Sequence, residues 1–321
     1  MSLDHGTTKV VEMYSKYPFP FGGNHGGFFE RYVLPAVTAL AQEYPIRRVL
    51  DAGCGTGNVI VDIGTFVPEA AVVGIDLTDE SLAHARQRAE KRGLKNISFQ
   101  KSNLLQHDAT LGKFDFVYSQ GVIHHLSDPL EGLKNLNRYL RKDHHAFVWL
   151  YSLAGRRRLL DLREALNILG VDNLPWEERI QLAMDARPLF LSQRLTFARK
   201  LIKVLECYDK QGFKGVAREA IHRFQRPSGG SYAKVIVADQ YLHPQDKFYR
   251  VAEAWELFAG ANFEVVRILQ GMSNTLEESF GDEKILRNRR LSRLDAYKLI
   301  ELHEQPEGVG YLVKKTNEVS E

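Results

Sequence analysis

The chain has 321 residues, 44% of them hydrophobic and 26% charged, with a formal net charge of +3. Those proportions suit a globular protein with an ample core, either one large domain or one domain carrying a sizeable insertion, and so small a charge names no partner. No apolar run approaches the roughly 20 residues of a membrane helix, the N-terminus lacks the apolar stretch of a signal peptide, and two cysteines, Cys54 and Cys207, exclude a disulfide framework, so a reducing, cytoplasmic setting is expected.

In chain order, residues 8–17 read as a short helix halted by Pro18-Phe19-Pro20, and residues 21–27, with four glycines, read as a lip. Residues 28–44 carry an amphipathic helical pattern. Strands and helices then alternate: strand 48–50, helix 58–66, strand 71–75, helix 80–91 closed by Gly93, strand 97–101, strand 114–119, helix 129–140 and strand 146–151. Apolar strands alternating with helices predict an α/β fold, a doubly wound and mostly parallel sheet covered on both faces. At Ser152 the rhythm breaks. Residues 154–226 are helix-like and basic, with fifteen Lys/Arg against nine Asp/Glu, and Pro227-Ser228-Gly229-Gly230 marks a loop. The rhythm resumes with helix 250–259 capped by Gly260, strand 263–269, a basic helical stretch over 283–304 and a last strand, 310–314. The expected organisation is an N-terminal cap helix and lip (1–29), a core (30–153), a helical insertion between strands five and six (154–245), and the completion of a seven-stranded sheet (246–321).

The chemistry concentrates between Leu50, which ends a strand, and Asn58, which starts a helix: Asp51-Ala52-Gly53-Cys54-Gly55-Thr56-Gly57. Glycines let a ligand approach the main chain, and in an open parallel sheet this crevice beyond the strand ends is where ligands bind. A dinucleotide fingerprint needs G-x-G-x-x-G, and Asn58 stands where its third glycine would be. Asp51 would also repel a pyrophosphate, whereas it suits a ligand with a cationic amino group. Asp76 ends the next strand, nineteen residues after Gly57, where a carboxylate can accept both ribose hydroxyls of an adenosine ligand, with Leu77 beside it to pack on the adenine. The alternative, a strand–turn–helix that holds no ligand, stays open for the loop taken alone.

The G-x-G-x-G loop preceded by Asp51 resembles the first motif of class I S-adenosylmethionine (SAM)-dependent methyltransferases, in which it wraps the methionine end of SAM. Two further stretches carry the likeness. Ser102-Asn103-Leu104-Leu105 stands where such enzymes often place an acid for the adenine amino group; Asn103 departs from that pattern, though its amide oxygen can accept the same bond. Phe114 to Leu126 resembles the strand-four region, with Gln120 and Gly121 under the methyl donor and no Asn-Pro-Pro-Tyr sequence of the amino-methylating DNA enzymes. Residues 46–152 thus look like a type 11/12-like methyltransferase core of Rossmann-like fold. Tyr14-Ser15-Lys16-Tyr17-Pro18-Phe19-Pro20, Asp239 to Asp246 and Leu291 to Asp295 resemble a narrower group within it that implies no particular reaction. The resemblance implies SAM as cofactor, with Asp51, Gly53, Cys54, Gly55, Gly57, Asp76, Leu77, Asn103, Leu104, Gln120 and Tyr14 around it. Tyr14 and Tyr17 would close over the cofactor or staple the helix to the sheet.

Methyl transfer from a sulfonium is an in-line displacement in which the protein mainly aligns donor and acceptor, and a base is needed only when the acceptor loses a proton. His124 and His125, just after the fourth strand, and His243, after the insertion, are the candidate catalytic groups, each set against a packing role or a surface position. His144 and His145 read as structural. Asp239, His243 and Asp246 are metal ligands by type, but their spacing demands no metal and none is expected. The expected function is methyl transfer from SAM to an undetermined small-molecule acceptor at oxygen, nitrogen or carbon. The alternatives are RNA or protein methylation through the basic insertion, where Arg156-Arg157-Arg158 would meet an anion, and a non-catalytic SAM-binding regulator. The insertion is expected to form a lid on the substrate side. No membrane partner is expected.

Overall fold

The computed structural model describes residues 4–19, 27–191, 231–281 and 291–317. The glycine lip, the Pro227–Gly230 loop, the greater part of the basic residues of 154–226 and the start of the late basic stretch lie outside the described residues.

Twelve residues, His5–Lys16, form helix α1, whose first turn is capped by the Asp4 carboxylate accepting Thr7 N–H at 2.9 Å. The segment read as one helix over 28–44 divides in two. Pro35 has no N–H to continue the ladder, so Leu34 N–H bonds to Phe29 O, five residues back. A π-helical turn, Phe29–Val33, therefore precedes α2, Leu34–Leu40.

The sheet follows with β1 (Arg48–Ala52), α3 (Asn58–Phe66), β2 (Ala71–Asp76), α4 (Asp79–Lys91), β3 (Ile97–Lys101), β4 (Phe114–Gln120), α5 (Pro129–Tyr139) and β5 (Leu140–Tyr151). After the insertion come α9, so numbered because α6 (Leu153–Ile168), α7 (Trp176–Leu191) and α8 (Ser231–Tyr241) precede it, at Val251–Gly260, then β6 (Phe263–Gln270), α10 (Leu276–Phe280), α11 (Arg293–Glu304) and β7 (Gly308–Lys315). The seven strands make one sheet in the order β3-β2-β1-β4-β5-β7-β6, with β7 antiparallel to both neighbours and the other pairs parallel. This is the expected doubly wound, mostly parallel, Rossmann-like seven-stranded sheet, with a helical insertion between strands five and six. Side chains alternate between its faces. Leu50, Val117, Val148 and Leu150 enter one apolar cluster, while Val49, Phe116, Tyr118 and Phe147 enter the other.

Two boundaries move. β5 starts at Leu140, six residues before the apolar run at Ala146, because exposed Arg141-Lys142-Asp143 hide its first half and the register against β4 shifts between Phe114 and Phe116. Helix α9 includes Gly260, and the chain reverses at Asn262 instead, a non-glycine residue at φ 57°.

The chain divides into two compact units, Met1–Arg157 with His243–Glu321, and Arg158–Leu242. The first holds the whole sheet. The described residues of the second are mainly helical; within it the Arg163 guanidinium donates to Gln240 O at 3.2 and 2.8 Å, tying α6 to α8.

Candidate functional site

Strand order reverses between β1 and β4, which pair with each other while their next neighbours run outward on either side. Such a switch point opens a crevice at the carboxyl ends of the strands. Two loops border it, Asp51–Gly57 after β1 and Gln120–His125 after β4.

The glycine loop is built around backbone turns that side chains resist. Gly53, Gly55 and Gly57 have φ of 85°, 50° and 87°. A Cβ on Gly53 would stand 2.2 Å from Val122 Cγ2, and one on Gly57 would stand 2.8 Å from Ala85 Cα, so both positions require glycine for space as well as torsion. Gly53 N–H and Cys54 N–H donate to Ile75 O at 2.8 and 2.9 Å, and Gly55 N–H donates to Asp76 Oδ2 at 3.0 Å, which locks the loop to the end of β2. Thr78 N–H and Oγ1–H both donate to Asp76 Oδ1 at 3.0 Å. Thr56 N–H reaches Phe19 O at 3.3 Å, so the segment after α1 meets the loop.

Asp51 is 2% exposed, and its Oδ2 has no hydrogen-bond partner. Burial, and then the nearby Asp76 carboxylate, push its carboxyl up to about 8. Asn58, at the start of α3, is likewise buried with neither side-chain amide atom bonded. Unpartnered buried polar atoms are rare enough to need a reason. Here they lie at the two ends of one glycine loop. Cys54 is buried, and burial raises its thiol well above the ordinary value, so it packs as an apolar group. Leu77 and Gln120 are half-buried, Leu104 is buried, and Gln120 Oε1 accepts the Tyr118 hydroxyl. Asn103 Oδ1 accepts Leu105 N–H at 3.0 Å.

The three candidate histidines come together. His125 Nδ1 lies 2.5 Å and His243 Nδ1 2.9 Å from the same oxygen, Asp246 Oδ1, and their rings stack at 4.0 Å. His243 is not a surface residue: its side chain is fully enclosed, Tyr14 covers it at 5.7 Å between ring centroids, and Gln245 N stands 3.1 Å from its Nδ1. Burial opposes ionisation of Asp246, but the charges and hydrogen bonds of His125 and His243 overcome it and hold the carboxyl well below the usual range. His125 turns Nδ1 to the carboxylate, which leaves Nε2 as its other ring nitrogen. The three donor atoms lie within 4.8 Å of one another, a set of metal-ligating type whose imidazole–carboxylate separations are those of hydrogen bonds. Asp239 belongs to the helical unit.

His124 is fully buried with neither ring nitrogen bonded, and burial followed by the neighbouring His125 pushes it well below its ordinary value, so it is neutral. Its ring stands 3.8 Å from Tyr151. His145, read as structural, is buried inside β5 with Nδ1 2.9 Å from the Tyr44 hydroxyl.

Sequence reading missed Asp246 as the partner of two histidines. His125 and Asp246 are 121 positions apart, and their meeting depends on where the chain returns after the insertion. The signal within reach was local: His243 and Asp246 are three apart around a proline.

Residues 46–174 match the family model of a methyltransferase domain. Over that stretch, less than half of its length, the chain is similar to methyltransferase domains. An uncharacterized protein of Synechococcus sp. is 27% identical to this chain over 310 residues, covering 93% of the chain and 69% of the relative. An uncharacterized methyltransferase of Schizosaccharomyces pombe is 32% identical over 97 residues, 28% of the chain and 35% of the relative. Among solved structures, PKMT2 from Rickettsia typhi in complex with AdoHcy superposes with a TM-score of 0.58 at 15% identity, over 91% of this chain and 55% of that one, which shows a shared fold. The chain spans about half the length of that structure. Among the described residues no helix is long and apolar enough to cross a membrane.

Proposed function

We propose that this protein transfers a methyl group from SAM to a small-molecule acceptor. The observation that carries the reading is the unpartnered, buried Asp51 Oδ2 at the foot of the glycine loop. An isolated carboxyl there is costly, and a ligand ammonium would satisfy it. The amino-acid end of SAM has that group, and Asn58, also unpartnered, can take up its carboxylate. Asp76 keeps acceptor capacity beyond the bonds from Gly55 and Thr78, since each carboxylate oxygen has two lone pairs, and so can receive ribose hydroxyls. Leu77 and Leu104 offer apolar surface to an adenine, and Asn103 its amide. Tyr14 closes the N-terminal side.

SAM, when bound, supplies an electrophilic methyl group on a sulfonium. The chain's own residues align the acceptor and move its proton. His125, oriented by Asp246, is the base, with Nε2 presented for the acceptor proton and the carboxylate stabilising the imidazolium that results. His243 holds the other side of the same carboxylate oxygen.

Calorimetry with SAM, S-adenosylhomocysteine (SAH) and NAD tests the donor. SAM and SAH are expected to bind and NAD is not. Asp76→Ala is expected to weaken SAH by roughly ten- to a hundredfold, the loss of charge-assisted bonds to two hydroxyls. NAD binding without SAM binding overturns the proposal, and full affinity in Asp76→Ala overturns the ribose assignment.

A further inference from the structure

Burying a cation without a counter-charge is among the most expensive things a fold can do, and arginine cannot escape by losing its proton. Arg156, in the first turn of α6, is 8% exposed. Its Nε donates to Glu307 O at 2.7 Å, and its guanidinium carbon lies 3.6 Å from the centre of the Tyr151 ring. Among the described residues it has no ion pair and no other hydrogen bond, although eleven other histidine, lysine and arginine contacts with carboxylates are present elsewhere. Its place is fixed by backbone. Gly155 N–H donates to Pro306 O at 3.0 Å, and a Cβ on Gly155 would stand 2.4 Å from that oxygen, so only glycine lets the helix start this close. The Nη1/Nη2 edge, with parallel N–H donors suited to two oxygens of one anion, is left without an acceptor among the described residues.

His124 stands against the other face of the same ring. His124 is wholly buried, has no partner on either nitrogen, and lies 3.8 Å from the Tyr151 ring that Arg156 also covers. The carboxylate of this neighbourhood, Asp246, is engaged by His125 and His243. The Nη edge of Arg156, across Tyr151 from His124 and near the base, suits an anionic group with two oxygens.

We propose that Arg156 forms the subsite for a carboxylate or phosphate carried by the methyl acceptor. Arg156 meets two oxygens through its Nη edge, and the anion thereby sets the acceptor against His125. As an acceptor subsite this rests on the methyltransferase reading above, though anion binding itself does not.

The test is calorimetry on the full chain loaded with SAH, titrated with malonate, inorganic phosphate and neutral malonamide. Malonate or phosphate is expected to bind saturably and malonamide not to bind. The stronger of the two anions tells a carboxylate acceptor from a phosphorylated one. Arg156→Gln is expected to weaken the anion roughly ten- to a hundredfold while keeping SAH affinity, whereas Gln at the exposed neighbour Arg157 leaves both unchanged. If Arg156→Gln fails to fold, Arg156→Lys keeps the charge without the paired donor edge and is expected to show an intermediate loss. SAH-loaded protein that ignores both anions overturns the inference, as does an anion affinity that is the same in the Arg156 variant. Failure of the cofactor reading shows separately, as absence of SAH binding by the unaltered chain.

Discussion

At the scale of single residues, the site is marked by polar groups that the protein alone does not satisfy, and Asp51 gives the sharpest consequence. Its carboxyl is pushed up to about 8 by burial first and by Asp76 second. A group whose folded value is raised contributes stability that is complete below its unfolded value, near 4, and is lost as pH rises toward 8. A ligand ammonium reverses the balance, because it favours the ionised carboxylate. Binding SAH therefore releases a proton in the window below about 8, and affinity is expected to rise with pH there by up to about tenfold per pH unit. In Asp51→Asn the slope should vanish and SAH should bind weakly at every pH. Isothermal titration between about pH 6 and about pH 8 in two buffers of different ionisation enthalpy reads both slope and proton release. A flat wild-type profile would sink the pairing of Asp51 with the ligand amine.

At the scale of elements, the loop between β1 and α3 depends on torsion and space together, and two glycines separate these causes. Gly57 has φ 87° and no room, with a Cβ 2.8 Å from Ala85 Cα; Gly93 has φ 65° and nothing within 4 Å. Gly93→Ala should cost only the left-handed backbone penalty, about 1 kcal/mol. Gly57→Ala adds overpacking against α4, for a total of about 2–4 kcal/mol by urea unfolding at unchanged m, and should weaken SAH as well. Equal costs at the two positions would mean that α4 yields. This loop was legible in sequence because everything it needs is contiguous: an apolar strand, an acid, three spaced glycines and a helix. The sheet was legible for the same reason, from short apolar runs between turn residues. The first half of β5 was not, since its charged Arg141-Lys142-Asp143 face solvent on a strand whose pairing is set by β4. Nor were the partners of the histidines. Arg156 lay hidden in a run of three arginines, and only the fold shows that it is the buried one whereas Arg157 and Arg158 are exposed.

At the scale of the whole molecule, the question is what the inserted unit contributes to folding. Every residue of both apolar clusters belongs to Met1–Arg157 or His243–Glu321, and none to Arg158–Leu242. The chain also leaves and rejoins the sheet at one place. Tyr249 N–H donates to Tyr151 O and Leu153 N–H to Tyr249 O, both at 3.0 Å, which makes a short parallel bridge between Ser152 and Tyr249. Lys247 N–H donates to His124 O at 2.8 Å, so the return segment is fastened to the candidate site by its own backbone. Excising residues 158–242 therefore removes none of the seven strands of the sheet and no residue of either cluster, and it replaces a long connection by a short one. A flexible Gly/Ser linker of about ten residues reaches roughly 17 Å, and shortening a loop lowers its closure cost rather than raising it. The excised protein is expected to unfold in one cooperative transition, to keep its sheet signal by circular dichroism, and to bind SAH with the affinity of the full chain. Loss of cooperative unfolding, with the linker lengthened as a control, would mean that the helical unit is needed to hold the sheet; retention would place donor binding wholly in the sheet-bearing unit and leave the inserted unit to be tested against the acceptor alone.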